Sequence, residues 1–191
     1  PGAPTSGNSV LAKAAPKFID KSDSITAPVP ISASCAPCSS LLAIAGRATG
    51  AISWLHHDPE LGGPHDAQFL ANGNLMIFAN RGGLHPRGSA VIEFNHLTGD
   101  EVWRYRGNPT HTFDSNFISG CQRLWSGNTL ICEGLWGRIF EVTPDGQIVW
   151  EFVNPHSFHR DFGASLGDVN YVFRAYRYES GGPEIQSRLG A

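Results

Sequence analysis

The sequence predicts an all-β chain assembled from copies of one four-stranded antiparallel unit, and three observations carry that expectation. First, an Asn72-Gly73-Asn74 turn between apolar runs returns 54 residues later as Ser126-Gly127-Asn128, with Gln68/Gln122, Leu70/Leu124 and Ile77/Ile131 in the same register. Second, Trp54, Trp103 and Trp150 stand 49 and 47 residues apart, each just after a Gly-containing turn. Third, 22 glycines and 13 prolines accompany a single methionine, a mix that suits many short strands and turns.

In chain order, residues 1–40 are rich in Ala, Pro and Ser without a sustained period, and read as an extended arm suited to lying on a partner or on the rest of the chain. Leu41-Leu42-Ala43-Ile44 and Ala51-Ile52-Ser53-Trp54-Leu55 are short strands about an Ala48-Thr49-Gly50 turn. His65–Phe69 and Leu75–Ala79 flank the Asn-Gly-Asn turn as a hairpin, since Asn and Gly tolerate the positive φ of tight turns. Ser89–Phe94 and Val102–Tyr105 form the next hairpin about Thr98-Gly99-Asp100. The Gly120–Cys132 hairpin and the Arg138–Val142 and Ile148–Phe152 strands, joined by Pro144-Asp145-Gly146, repeat the set. Asn170–Tyr178 alternates and is expected to be a strand of a last, partial unit; residues 179–191 read as a Gly- and Ser-rich tail.

Four strands in just under 50 residues is the size of one β-propeller blade. The expected architecture over 41–178 is therefore a β-propeller-type array of four-stranded antiparallel blades. It is partial, or completed by the N-terminal region or by another chain, because a closed ring needs at least about four blades. A flat ring on the outer hairpin fills the widening gap between neighbouring sheets, so the three tryptophans are expected in the core between units.

Charged residues make up 16% of the chain and the net charge is −3, which leaves no basic nucleic-acid footprint. No apolar run reaches the roughly 18–20 residues of a membrane-spanning helix. The sequence begins at Pro1, which reads as a processed or excerpted start. Cys35-Ala36-Pro37-Cys38 has a redox or half-metal-site spacing, but no second such pair accompanies it; a loop disulfide or two idle thiols fits better. Cys121 and Cys132 have opposite strand parity about Gly127 and are not expected to bridge. His56-His57-Asp58 offers metal-ligating types, yet adjacent residues on a strand point to opposite faces. His85, His96, His156 and His159 fall in turns or irregular stretches, and no phosphate-cradling glycine loop is present, so neither metal nor cofactor is expected.

The stretches Gly63–Gln68 with Asn72-Gly73-Asn74, Gln122–Leu124 with Ser126–Ile131, Gly137–Gly146 and Val172–Tyr178 resemble the arylsulfotransferase-like propeller family. The resemblance spans roughly 42–178 and is more specific for fold than for activity. It implies an extracytoplasmic or organelle-lumen setting, which the processed-looking start also suits, and transfer of a sulfuryl group from an aryl sulfate to a phenol through a histidine, without a nucleotide donor. A neutral imidazole can attack sulfur, and arginine presents a planar fork to sulfate oxygens.

The family's channel histidine maps onto His65. Pairing the hairpin about Gly73 sets His65 opposite Arg81, with Asp66 and Asn80 beside them; this gives a catalytic pair of His65 and Arg81 and substrate contacts from Asp66 and Asn80. His111, in the link 111–116, and Arg123 are further candidates to reach the substrate. The ordinary alternative for Arg123, Arg138 and Arg174 is an ion pair or a bond to a neighbouring backbone, and for His65 a ring hydrogen bond knitting one unit to the next. The next unit has Ser119-Gly120 and Leu135 where this one has His65-Asp66 and Arg81. A non-catalytic propeller subunit, docking on a larger protein assembly through its faces and its N-terminal arm, is the competing reading.

Overall fold

The computed structural model of the protein describes residues 40–46, 49–81, 88–161, 166–182 and 185–186. The arm at 1–39, Cys35 and Cys38, His85, and most of the 179–191 tail lie outside them.

The described chain is all-β. Twelve strands run in order: β1 (Leu41–Ala45), β2 (Ile52–His57), β3 (His65–Phe69), β4 (Leu75–Ala79), β5 (Ala90–Phe94), β6 (Glu101–Arg106), β7 (Gly120–Arg123), β8 (Thr129–Glu133), β9 (Arg138–Val142), β10 (Ile148–Val153), β11 (Phe158–Asp161) and β12 (Leu166–Val169). They make two four-stranded antiparallel meanders, β3-β4-β5-β6 and β7-β8-β9-β10, and two hairpins, β1-β2 and β11-β12. Among the described residues no helix is long and apolar enough to cross a membrane.

The turns do what their residues allow. Gly73 and Gly127 sit at φ 84° and 87°, and in each turn the glycine N–H donates to the carbonyl three residues earlier, Leu70 or Leu124. The middle strands β4, β5 and β8 are buried on both faces, which explains their near-continuous apolar runs.

Two cores lie between sheets. Leu42, Leu61, Ala67, Leu75, Ile77, Ile92 and Phe94 pack between β1-β2 and the first meander, with Trp54 and Phe69 at the margin. Met76, Phe78, Val91, Tyr105, Phe113, Phe140 and Val142 pack between the two meanders, with Trp103 at the margin.

A polar seam runs beside the second core and recurs beyond it. Asn74 Nδ2 donates to Glu93 Oε1 at 2.8 Å, Glu93 pairs with Arg123 of the next meander at 2.7 Å, and Arg123 lies 4.7 Å over the Trp103 ring. Fifty-four residues on, Asn128 Nδ2 donates to Glu141 at 2.7 Å, Glu141 pairs with Arg177, and Arg177 lies 4.8 Å over Trp150. Gln68 Nε2 bonds the Cys121 carbonyl, as Gln122 Nε2 bonds that of Arg177 at 3.0 Å.

Two expectations need correction. The stretch 170–178 forms no ladder; β12 ends at Val169, and the residues after it follow β7 and β8 through side-chain bonds such as Arg177 N–H to Gln122 Oε1 at 2.8 Å and a Val172 N–H to Gly134 carbonyl bond at 3.0 Å. The tryptophans are not equivalent in burial: Trp54 and Trp103 are half-buried at seams, whereas Trp150, with Arg177 over its ring, is still 43% exposed.

Candidate functional site

The candidate residues cluster at one end of β3, where the sequence departs from simple pairing. The hairpin centres on Asn72, not Gly73: Leu70 N–H reaches the Asn74 carbonyl, and Gln68 faces Met76. An irregularity between His65 and Gln68, with Asp66 at φ 51°, then sets His65 opposite Phe78. The expected His65–Arg81 pairing is therefore wrong. Its neighbours Asn80 and Asp66 do fall at the site, but by different contacts.

His65 Nδ1 lies 2.7 Å from Asn80 Oδ1 and 3.1 Å from the Gly63 carbonyl. Asn80 Nδ2 is committed to the Ser115 carbonyl and to Ser119 Oγ, so Oδ1 is the acceptor side of that amide. Both neighbours of Nδ1 accept, which places the ring proton on Nδ1 and leaves Nε2 as the lone-pair nitrogen of the neutral ring. Nε2 has no hydrogen-bond partner among the described residues. Ser89, Asn80, Ser115 and Ser119 continue as one buried polar chain, with Ser115 N–H donating to Ser89 Oγ at 2.9 Å.

Asp66 is buried and binds two units at once. Its Oδ2 accepts from Cys121 N–H at 2.9 Å and its Oδ1 pairs with Arg174 Nη2 at 2.7 Å. Burial raises the Asp66 pKa, and the Cys121 amide, Arg174, His65 and Tyr176 hydroxyl pull it back only in part. Asp66, Gly120 and Arg174 follow one another at 54-residue intervals. A Cβ at Gly120 would lie 3.0 Å from Asp66 Oδ2 and 3.6 Å from Arg174 Cγ. The second unit lacks the His-Asp pair for this reason: Gly120 leaves room for the Asp66 carboxylate, and Ser119 completes the Asn80 network.

The other candidates stand apart. The Arg81 guanidinium, 9% exposed, pairs with Glu60 at 3.2 Å and keeps Nη1 buried without a partner. Arg81 also sits at φ 54°, and its backbone packs against Gly62, where a Cβ would come within 2.3 Å of Arg81 Cα. Arg123 is held by Glu93 and Trp103 in the seam, the ion pair that was the ordinary alternative to a substrate contact. His111 is exposed in a 3-10 turn at Thr110–Thr112. Arg138 pairs with Glu133 at 3.1 Å and also with Glu151. Among the described residues no group of three or more His, Cys, Asp or Glu side chains is placed to hold a metal ion. Cys121 and Cys132 are free and buried; burial pushes Cys121 well up and Cys132 to about 12, so neither forms a thiolate near neutrality. Sequence reasoning missed Tyr176 and named Arg174 without its partner; the 54-residue interval from Asp66 through Gly120 was the available signal for the Asp66–Arg174 pair.

Glu133, buried beside Arg138 and the Asp114 amide, also has a raised pKa, chiefly from burial. A carboxyl held neutral more readily when folded stabilises the fold fully below its unfolded pKa of ~4, and that contribution disappears as pH rises through the folded value. Urea unfolding of Glu133→Gln beside the parent is expected to show the variant gaining relative stability between pH 4 and 8. A difference that stays flat or reverses contradicts the assignment.

No family model matches the chain, and no curated protein matches it. Solved structures that match include a protein of unknown function from Bacteroides caccae, 20% identical, with a TM-score of 0.41, over 60% of this chain. The chain spans 39% of that protein's length.

Proposed function

We propose that the sheets are successive blades of an arylsulfotransferase-like β-propeller, fanned about a common axis, and that the chain acts as a binding or scaffolding element of a larger protein assembly. The fan is supported by the contact between Asp66 and Arg174. Sheets stacked in line lie about 10 Å apart, which would hold equivalent side chains of the first and third units roughly 20 Å from each other. Convergence on one axis brings them into contact, with Gly120 between them.

The observation that carries the non-catalytic reading is the pairing of the arginines. Arg81, Arg123, Arg138, Arg174 and Arg177 each engage a carboxylate: Glu60, Glu93, Glu133, Asp66 and Glu141 respectively. A sulfate clamp needs a guanidinium fork open to the ligand; here each is turned to a carboxylate, and the unpartnered Arg81 Nη1 and Arg123 Nε are buried.

One observation favours the second reading, sulfuryl transfer. The Nδ1–H tautomer of His65 leaves Nε2 able to attack sulfur, with the aryl oxygen leaving as phenolate; an acceptor phenol would then take the group from nitrogen, its hydroxyl proton passing through solvent to the departed phenolate. Incubation of the full chain with an aryl sulfate and a phenol acceptor separates the two. The scaffold reading predicts no phenol release that differs between the parent and His65→Ala. Release by the parent that disappears in His65→Ala overturns it in favour of transfer.

A further inference from the structure

The Asn72-Gly73 turn carries a chemical feature that its counterpart in the second meander lacks. It is the one Asn-Gly step in the chain; 54 residues on, the same turn reads Ser126-Gly127. An asparagine amide followed by glycine is the side chain most open to attack by its own backbone, because the glycine nitrogen has no side chain beside it to hinder the approach. The turn is exposed, and among the described residues nothing lies within 4 Å of the place a Cβ on Gly73 would take.

The fold nevertheless holds every reacting atom. Asn72 Nδ2 donates to Glu93 Oε1 at 3.0 Å, and Asn72 Oδ1 accepts the Asn74 N–H at 2.9 Å. The attacking nitrogen is engaged as well, since Gly73 N–H donates to the Leu70 carbonyl at 2.9 Å. Glu93 is 5% exposed and also takes the Asn74 amide at 2.8 Å and the Arg123 guanidinium at 2.7 Å. Asn72 is therefore tied into the seam between the two meanders. In the second seam Ser126 Oγ accepts the Asn128 N–H at 3.3 Å, and Asn128 supplies the turn's bond to Glu141. A serine hydroxyl offers no carbonyl carbon to attack. One seam is built on a convertible residue and the other is not.

We propose that Asn72 is a self-modification site, held unreactive while the first seam is closed and converted irreversibly when it opens. Once the turn is free, the Gly73 nitrogen attacks Asn72 Cγ. A C–N bond forms, the Gly73 N–H proton passes to solvent, and Nδ2 takes up a proton and leaves as ammonia. Water then opens the five-membered imide at either carbonyl. A C–N bond breaks, a C–O bond forms, and a carboxylate and a proton result; water is the only co-reactant. One opening gives aspartate. The other gives isoaspartate, in which the main chain runs through the former side chain. Either product sets a carboxylate where Nδ2 had met Glu93. A donor has become an anion beside a nearly buried anion, and like charges so placed repel. The seam that re-forms is weaker than the one that opened.

Peptide mass spectrometry of the full chain, after incubation in mildly alkaline buffer, reads the conversion as the change from amide to acid at residue 72. The folded chain is expected to convert about tenfold or more slowly than the same chain in urea, because the Asn72–Glu93, Asn72–Asn74 and Gly73–Leu70 bonds must break first. Glu93→Ala is expected to convert severalfold faster than the parent when folded, and at the parent's rate in urea, where no seam exists. Arg123→Gln opens the seam from its other side and is expected to do the same; it carries the test if far-UV circular dichroism shows that Glu93→Ala does not fold. Asn72→Asp is expected to have a lower urea midpoint than Asn72→Ser, which takes the residue of the second seam and adds no charge. Equal conversion rates for the folded chain and the chain in urea overturn the proposal. So does a folded rate that neither seam variant raises, or an Asn72→Asp midpoint equal to that of Asn72→Ser.

Discussion

Phe113→Ala is expected to lower the unfolding free energy by about 3–5 kcal/mol. The side chain is fully buried in the link between β6 and β7, and its ring meets three others: Phe78 at 5.2 Å, Tyr105 at 5.3 Å and Phe140 at 5.6 Å. Those rings come from β4, β6 and β9, so Phe113 joins both meanders. Truncation leaves a void between two hydrogen-bonded sheets, whose ladders resist collapse into it. The loss should be read as a lower urea midpoint with little change in the slope. Phe173→Ala, at a position 72% exposed, serves as the control and should stay within about 0.5 kcal/mol of the parent. A Phe113→Ala loss no larger than the control's would mean that the sheets are not held by this core.

Asp66→Ala is expected to cost about 3 kcal/mol by three separable routes. The Cys121 N–H loses its acceptor in a buried place, worth roughly 1–3 kcal/mol. The Arg174 link is lost, but Arg174 is 48% exposed and stays solvated, so no buried-charge penalty follows. The residue also holds φ 51°, which alanine tolerates worse than aspartate by about 1 kcal/mol. Asp66→Gly should accordingly be less destabilised than Asp66→Ala by about 1 kcal/mol, since it loses the same bonds without the backbone strain. Equal losses for the two variants would remove strain from the account.

What the sequence made legible follows from what is local. The turn glycines, the strand pairs around them and the repeat of Gln68, Leu70, Gly73 and Asn74 are properties of short stretches, and the two four-stranded sheets came out as expected. Register was lost first at the turn, which centres on Asn72 rather than Gly73, and again between His65 and Gln68, where Asp66 at positive φ shifts the pairing beyond it without changing the hydrophobic pattern. The partners of the arginines were not legible because they are distant. Arg123 looks like a free channel cation until Glu93, 30 residues earlier and on another sheet, is seen beside it. Yet the Asn–Glu–Arg–Trp set occurs twice, and the recurrence of Arg123 as Arg177 at the same 54-residue interval was available in the sequence. Asp66 and Arg174 are 108 residues apart, too far along the chain for any local pattern to pair them. His65 was placed at the right end of its strand for the wrong reason: Asn80 fixes its ring, and Arg81 points to Glu60.

The fan of sheets about one axis is the claim on which the functional reading depends. A double-mutant cycle on Asp66→Ala and Arg174→Ala, followed by urea unfolding, tests it most directly. The fan predicts a coupling of about 1–2 kcal/mol between the two positions. Additivity to within about 0.5 kcal/mol would contradict it, since that is the result for side chains held some 20 Å apart in sheets stacked in line.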